Sequence, residues 1–293
     1  MNLIFYKLNL AGLFAQRFFV VRLRGILSVV GIFFAVMFLG YGLNYGGQAD
    51  LPKGVSDRES EQFRIDNELV AGKYSVKSVM YFLDKDFLGQ IGGNGEMTHY
   101  SASRDSFTLL MPSLRIQTRL SATETRNEVE SLVKSVTVTK EPIDPRLMFV
   151  VKPVFKIDAD NNSGQMSLQS AWVDYKLTTE NLSDANISKK YFDFCDLSCY
   201  LNCRVASSYR PLFRLEVNRI LRKENLFPKT ISTTFYPNGK IINAQEENIT
   251  SKHKIIKRLT NEDKTKINQI LSAMDTFKTV TFEEYQKAIK NEK

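Results

Sequence analysis

Cys195, Cys199 and Cys203, spaced four apart in CDLSCYLNC, are the densest group of reactive side chains in the sequence. On a helix, residues four apart stack on one face, so the three thiols would form a single row. Three soft ligands on one side suit zinc or an iron-sulfur cluster, but structural zinc takes four ligands, usually with CxxC-type spacing. The only histidines, His99 and His253, lie far away in sequence. Two readings stay open. One is a disulfide between two of the thiols, which requires the segment to bend because adjacent helical turns aim their Cβ vectors poorly. The other is a thiol cluster of small buried side chains. No metal or other cofactor is expected.

His99 neighbours Tyr100, Ser101 and Ser103 in a stretch that reads as a loop. Ser-His and Cys-His hydrolases assemble in space rather than in sequence, so these residues could supply a reacting centre. No nucleophile elbow, zincin helix or paired-carboxylate motif accompanies them. Asp158-Ala-Asp160-Asn161-Asn162-Ser163-Gly164 resembles the start of a calcium loop, but Ser163 stands where glycine is demanded and Gln169 where a bidentate glutamate belongs. A polar hairpin turn explains the same residues. Gly89 to Gly95 is glycine-rich, yet no Lys-Ser/Thr follows it, so it reads as a loop rather than a phosphate cradle. Arg210, Arg214 and Arg222 share one helix face, which could receive phosphate or carboxylate but more simply faces solvent.

The formal net charge of +8 invites a nucleic-acid reading. Lys7, Arg17, Arg22 and Arg24 carry half of it, leaving 36 basic against 32 acidic residues from Asp50 onward. Sequence-independent nucleic-acid binding draws on dense clusters of Lys and Arg. The one local cluster, Lys252-His253-Lys254 with Lys257-Arg258, reads as a strand with a solvated face, so no nucleic-acid partner is expected.

The elements that must position these residues begin with a long apolar run. Gly25 to Ala49 contains no charged side chain, and Ile26 to Leu43 is dense in Ile, Leu, Val, Phe and Met. About 20 such residues match a hydrocarbon layer of about 30 Å, which predicts a transmembrane helix over residues 25–46. Residues 1–24 are basic, without an acidic residue, and read as an amphipathic segment on the cytoplasmic side. A cleaved signal peptide ending at Gly47-Gln48-Ala49 is the alternative. Gly31 and Ala35 form a small-xxx-small pair suited to helix-helix contact. Residues 47–69 read as a linker, 70–180 as a strand-rich part and 181–293 as a mixed α and β part.

Period-two alternation predicts strands over Tyr74 to Leu83, Ser106 to Met111, Arg115 to Leu120, Val136 to Thr139 and Ala171 to Leu177. Pro153 places the run Leu147 to Ile157 at a sheet edge or bulge. A helix is predicted over Ala122 to Val133, and another opens at Pro211. Pro237-Asn238-Gly239 predicts a tight hairpin between Thr230 to Tyr236 and the residues from Lys240. After a strand at Ser251 to Leu259, Thr260 with Asp263 and Thr281 with Glu284 read as helix starts.

The expected fold is α+β: one N-terminal transmembrane helix, then an exported, largely antiparallel β-sheet domain with several helices. The expected protein is a single-pass, membrane-anchored envelope protein, cytoplasmic at its N-terminus, with a periplasmic or extracellular domain that binds protein. An assembly or secretion component, or a toxin-neutralising protein, fits that description. A homo-oligomer is compatible with it. The competing expectation is a membrane-tethered envelope enzyme that uses His99 or a cysteine.

Overall fold

A computed structural model of the chain describes residues 62–91, 95–137, 153–160, 163–206, 211–236 and 247–292. Six strands come first: β1 (Phe63–Ala71), β2 (Tyr74–Phe82), β3 (Phe87–Ile91), β4 (Met97–Ser101), β5 (Ser106–Met111) and β6 (Ile116–Ser121). Each pairs antiparallel with the next. The β1–β2 connection is a two-residue loop in which Gly72 has φ +57°, the arrangement of a type II′ turn that calls for glycine at its first position. Helix α1 (Ala122–Thr137) then leads to β7 (Lys156–Asp160), β8 (Gln165–Gln169) and β9 (Val173–Asn181). Helices α2 (Ala185–Ala206) and α3 (Pro211–Lys223) precede β10 (Leu226–Phe235) and β11 (Glu247–Ile256). Helix α4 (Asn261–Met274), the short β12 (Lys278–Thr279) and helix α5 (Phe282–Glu292) complete the order.

All twelve strands join one sheet in the order β12-β6-β5-β4-β3-β2-β1-β11-β10-β9-β8-β7. Every pairing is antiparallel except β12 with β6, where Lys278 and Thr279 run parallel to Ile116 and Gln117. The exception has a topological cause. From central β11, α4 carries the chain across the sheet to the β6 edge, and a helical crossover, unlike a hairpin, can deliver a strand in parallel.

Alternation along the strands divides the helices between two faces. On β2, Met80 and Phe82 face the main core with Phe63 and Ile65 of β1, and Phe194 of α2 meets Phe82 edge-on at 5.5 Å. Val79 and Tyr81, pointing the opposite way, pack with Leu259 and with Ile267 of α4. Further along α4, Met274 closes over Met97 and Leu110. Thr260 caps α4 in a capping box with Asp263, and Asp263 also receives Arg64 Nη1 of β1 at 2.6 Å, which pins the helix start to the sheet. On the first face, Tyr191 and Phe192 of α2 and Phe213, Val217 and Leu221 of α3 are buried against Phe227 and Ile231 of β10. Full burial of one such side chain stabilises by roughly 1.5–3 kcal/mol, so this helix pair holds the β11–β7 half of the sheet.

The fold differs from the sequence expectation. In place of an α+β protein led by a membrane helix, the described residues make one large mixed sheet with five helices. Among them no helix is long and apolar enough to cross a membrane. The segment expected to span over residues 25–46, the Gly31–Ala35 pair and the basic segment 1–24 lie outside the described residues. The linker reading of residues 47–69 overlaps β1, which begins at Phe63. The strand expected at Val136 to Thr139 also differs, because α1 continues to Thr137.

Candidate functional site

The thiol row lies on α2, and all three cysteines are free. Cys199 and Cys203 are buried and Cys195 is partly so. Burial pushes the Cys203 thiol up to about 12 and the Cys199 thiol well above its ordinary value. Cys195 is also raised by burial, against the opposing charge of Arg214. Such thiols stay protonated at neutral pH and are poor nucleophiles. Among the described residues no group of three His, Cys, Asp or Glu side chains is placed to hold a metal ion.

Arg214 and Arg222 form ties between α3 and α2 rather than an open anion site. Arg214 Nη2 donates to Tyr191 Oη at 3.2 Å and Nε to Asn218 Oδ1 at 2.8 Å. Asn218 donates on to Asp196 at 2.8 Å, and Arg222 reaches the second oxygen of Asp196 at 2.8 Å. Arg210 lies outside the described residues. Beneath this network, His253 of β11 turns inward while Lys252 and Lys254 stay exposed, the solvated-face strand that the charge pattern predicts. Its Nε2 lies 3.1 Å from Ser251 Oγ, and Ser251 continues to Asn67 and Ser78 in a hydrogen-bonded row across three strands. Burial, then the charge of Arg214, lowers His253 to about 3, and it is neutral near pH 7.

His99 is a strand residue in β4, 4% exposed, not a loop residue. The fold does gather an acid beside it: Nε2 stands 3.7 Å from Asp86 Oδ2. Burial works to raise the Asp86 carboxyl, but the His99 ring, the Ala102 amide (2.8 Å) and the Ser101 hydroxyl outweigh it and hold it below its ordinary value. The ring, the amide and the hydroxyl all converge on the acid, whereas a triad needs histidine between acid and nucleophile. The remaining ring nitrogen, Nδ1, is sealed from solvent and has no hydrogen-bond partner. No substrate atom can reach it in this conformation.

What stays open among the described residues is the β7 edge. There β7 pairs only with β8, and each of its five residues is exposed. Val154, just before it, is 88% exposed and Ile157 is 51% exposed, the two most exposed large apolar side chains of the described residues. The strand is nonetheless anchored. Phe155 packs edge-on against Tyr175 (5.8 Å) and Phe213 (6.5 Å). At the other end the expected hairpin turn replaces any calcium loop: Gly164 takes φ +66°, its carbonyl accepts from the Thr179 amide at 2.7 Å, and Ser163 donates to Asp160 at 2.7 Å. Ile157 and Ala159 share a side with Leu168 and Met166, the helix-covered face; Lys156, Asp158 and Asp160 share the other with Gln169, Ser167 and Gln165. Pro153 carried the sequence signal for this edge; Ile157 as its exposed apolar centre was not foreseen.

At the opposite end of the sheet the edge is short, though both of its residues are exposed. β12 is two residues long, and the chain turns at once through the Thr281–Glu284 cap into α5, whose Tyr285 is 1% exposed and reaches Glu96 at 3.2 Å. No protein-family model matches the chain, and no curated protein is similar to it in sequence.

Proposed function

We propose that residues 62–293 act by binding protein, taking an extended segment of the partner as an additional strand along β7. The observation that carries this reading is the asymmetry of the sheet edges: β12 is short and followed by a packed helix, while β7 is fully exposed beside Val154 and Ile157. An edge strand presents unpaired N–H and C=O groups that a second strand can satisfy, with alternate side chains giving selectivity. Of the places expected for the enzymatic alternative only Cys195 is partly exposed, and burial raises its thiol too. His99 Nδ1 is sealed, and Cys199 and Cys203 are buried with raised pKa values.

The test is a photoreactive amino acid at position 157 of the full chain in its native cells, with the equally solvent-facing Tyr74 (46% exposed) as control. The reading predicts one discrete crosslinked polypeptide from position 157 and none from position 74. Absence of any product at 157, or the same products at both positions, refutes it.

A further inference from the structure

We infer that the strand received by β7 is β7 of a second copy of this chain, antiparallel about a two-fold axis at Ile157; the inference rests on the strand-addition reading above. A closed two-fold contact between identical edges has its axis perpendicular to the sheet, so directly opposed residues come from the same face. The axis must then pass through a residue of the strand, and β7 offers five. At Lys156 it opposes two ammonium groups. At Asp160 it opposes two carboxylates; at Asp158 it opposes two carboxylates while setting Lys156 against Asp160 on both sides; and at Ala159 it sets Asp158 against Asp160 on both sides. Only at Ile157 is every charged pair attractive, with Lys156 opposite Asp158 twice.

The same register places the apolar groups well. The two half-exposed Ile157 side chains meet at the axis, where directly opposed Cβ atoms stand about 4.5–5.5 Å apart. On their face, the partly exposed Phe155 of each copy lies opposite Ala159 of the other. Neither Lys156 nor Asp158 has an ion-pair partner within its own chain among the described residues, so the pairing supplies one to each without breaking any. Like charges directly opposed destabilise a strand pair and opposite charges stabilise it, so the Ile157 register is the one of the five that carries no repelling pair. Both helix layers then lie on the same side of a continuous sheet.

Disulfide trapping in the full chain tests this. Ile157→Cys brings two thiols face to face across the axis, and oxidation is expected to give an interchain dimer on a non-reducing gel. Ala159→Cys is not, because its counterpart is four residues along, about 14 Å away, beyond disulfide reach. The unsubstituted chain, with its buried thiols, sets the background. In the Ile157→Cys chain, Lys156→Glu is expected to cut the dimer yield several-fold, and adding Asp158→Lys to restore it. Equal trapping at positions 157 and 159, no trapping at 157, or indifference to charge reversal overturns the inference. The failures are distinguishable. A photoreactive residue at 157 that captures a different polypeptide while Ile157→Cys gives no dimer sinks self-pairing and leaves strand addition standing. Capture of nothing sinks both.

Discussion

Gly164→Ala and Gly72→Ala together test whether β7 is held where the structure puts it. Both glycines have positive φ, +66° and +57°, so alanine at either meets a left-handed backbone cost of about 1–2 kcal/mol, offset by about 0.4–1 kcal/mol from the stiffer unfolded chain. There the similarity ends. A Cβ on Gly72 has nothing within 4 Å, whereas on Gly164 it would stand 2.6 Å from the Thr179 carbonyl oxygen. That carbonyl cannot swing aside: Thr179 is paired with Pro228 on β10, and its amide and hydroxyl both bond to the Gly164 carbonyl, at 2.7 and 3.1 Å. Forced overpacking of this kind costs about 1–3 kcal/mol. Gly72→Ala should therefore cost about 1 kcal/mol and Gly164→Ala about 2–4 kcal/mol. Urea unfolding followed by the fluorescence of Trp172, the only tryptophan, reads both, since it packs against the main core beside β9. Asparagine tolerates positive φ better than alanine does, so Gly72→Asn should cost no more than Gly72→Ala while Gly164→Asn stays destabilised. If Gly164→Ala costs no more than Gly72→Ala, the turn does not bear on β9 as described, and β7 is not fixed by it.

Asp263→Asn removes the charge from a nearly buried carboxylate that caps α4 and receives Arg64, so a loss of about 2–3 kcal/mol is expected in the same assay, tempered by the second contact of Arg64 to Asp66. Asp263 lies below its ordinary pKa because the Thr260 and Arg64 bonds outweigh burial; its contribution is complete above about pH 4 and lost as pH falls through the folded value, and the Asn variant should show a flatter acid limb. His253 works in a higher window. With a folded pKa of about 3 against about 6.5 unfolded, the unfolded chain alone takes up a proton between those values, so stability falls as pH drops below about 6.5. The slope approaches 1.4 kcal/mol per pH unit, and His253→Gln should abolish it; an unchanged slope would show that His253 is not held neutral. A thiol-reactive disulfide reagent should label Cys195 slowly and Cys199 and Cys203 only on unfolding, and rapid labelling of all three in the native protein would contradict their burial.

Where one side of a strand or helix is apolar and the other polar, the sequence was easily read. β2, β5, β6 and β9 alternate so that Val173, Tyr175 and Leu177, for example, are all buried, and α4 and α5 begin at the Thr260 and Thr281 caps. β1 was harder because polar Asn67, in the middle of the sheet, bonds to Ser78 and Ser251 on its neighbours, so a central strand wore the polarity of a linker. β3 was hidden by Gly89, whose missing side chain leaves room for Met80: a Cβ there would stand 2.7 Å from the sulfur. The Asn238-Gly239 turn lies outside the described residues, while the strands on either side of it, β10 and β11, pair antiparallel up to Phe235 and Glu247. Of the chemistry-bearing residues, the four-residue spacing of the thiols left a helix and a bent segment both open, and their burial, like that of His99, depends on long-range packing that no local pattern encodes.

Charge on an edge strand ordinarily serves to deter pairing, with lysine the usual deterrent. The β7 edge is different in kind because one face carries a cation followed by two anions while the other face carries Ile157 half exposed. A strand with only lysines would repel every partner; a strand with no charges would accept any register. Lys156, Asp158 and Asp160 place at least one repelling pair in four of the five two-fold registers and none in the fifth. The same three side chains therefore protect the edge against indiscriminate addition and admit one defined strand. Screening acts on the two halves of that device unequally. At about 1 M salt the Debye length is about 3 Å, which weakens the register code at the exposed pairs but leaves the apolar contact at Ile157 intact. Selectivity at this edge thus resides in its charges, and adhesion in Ile157 and the backbone.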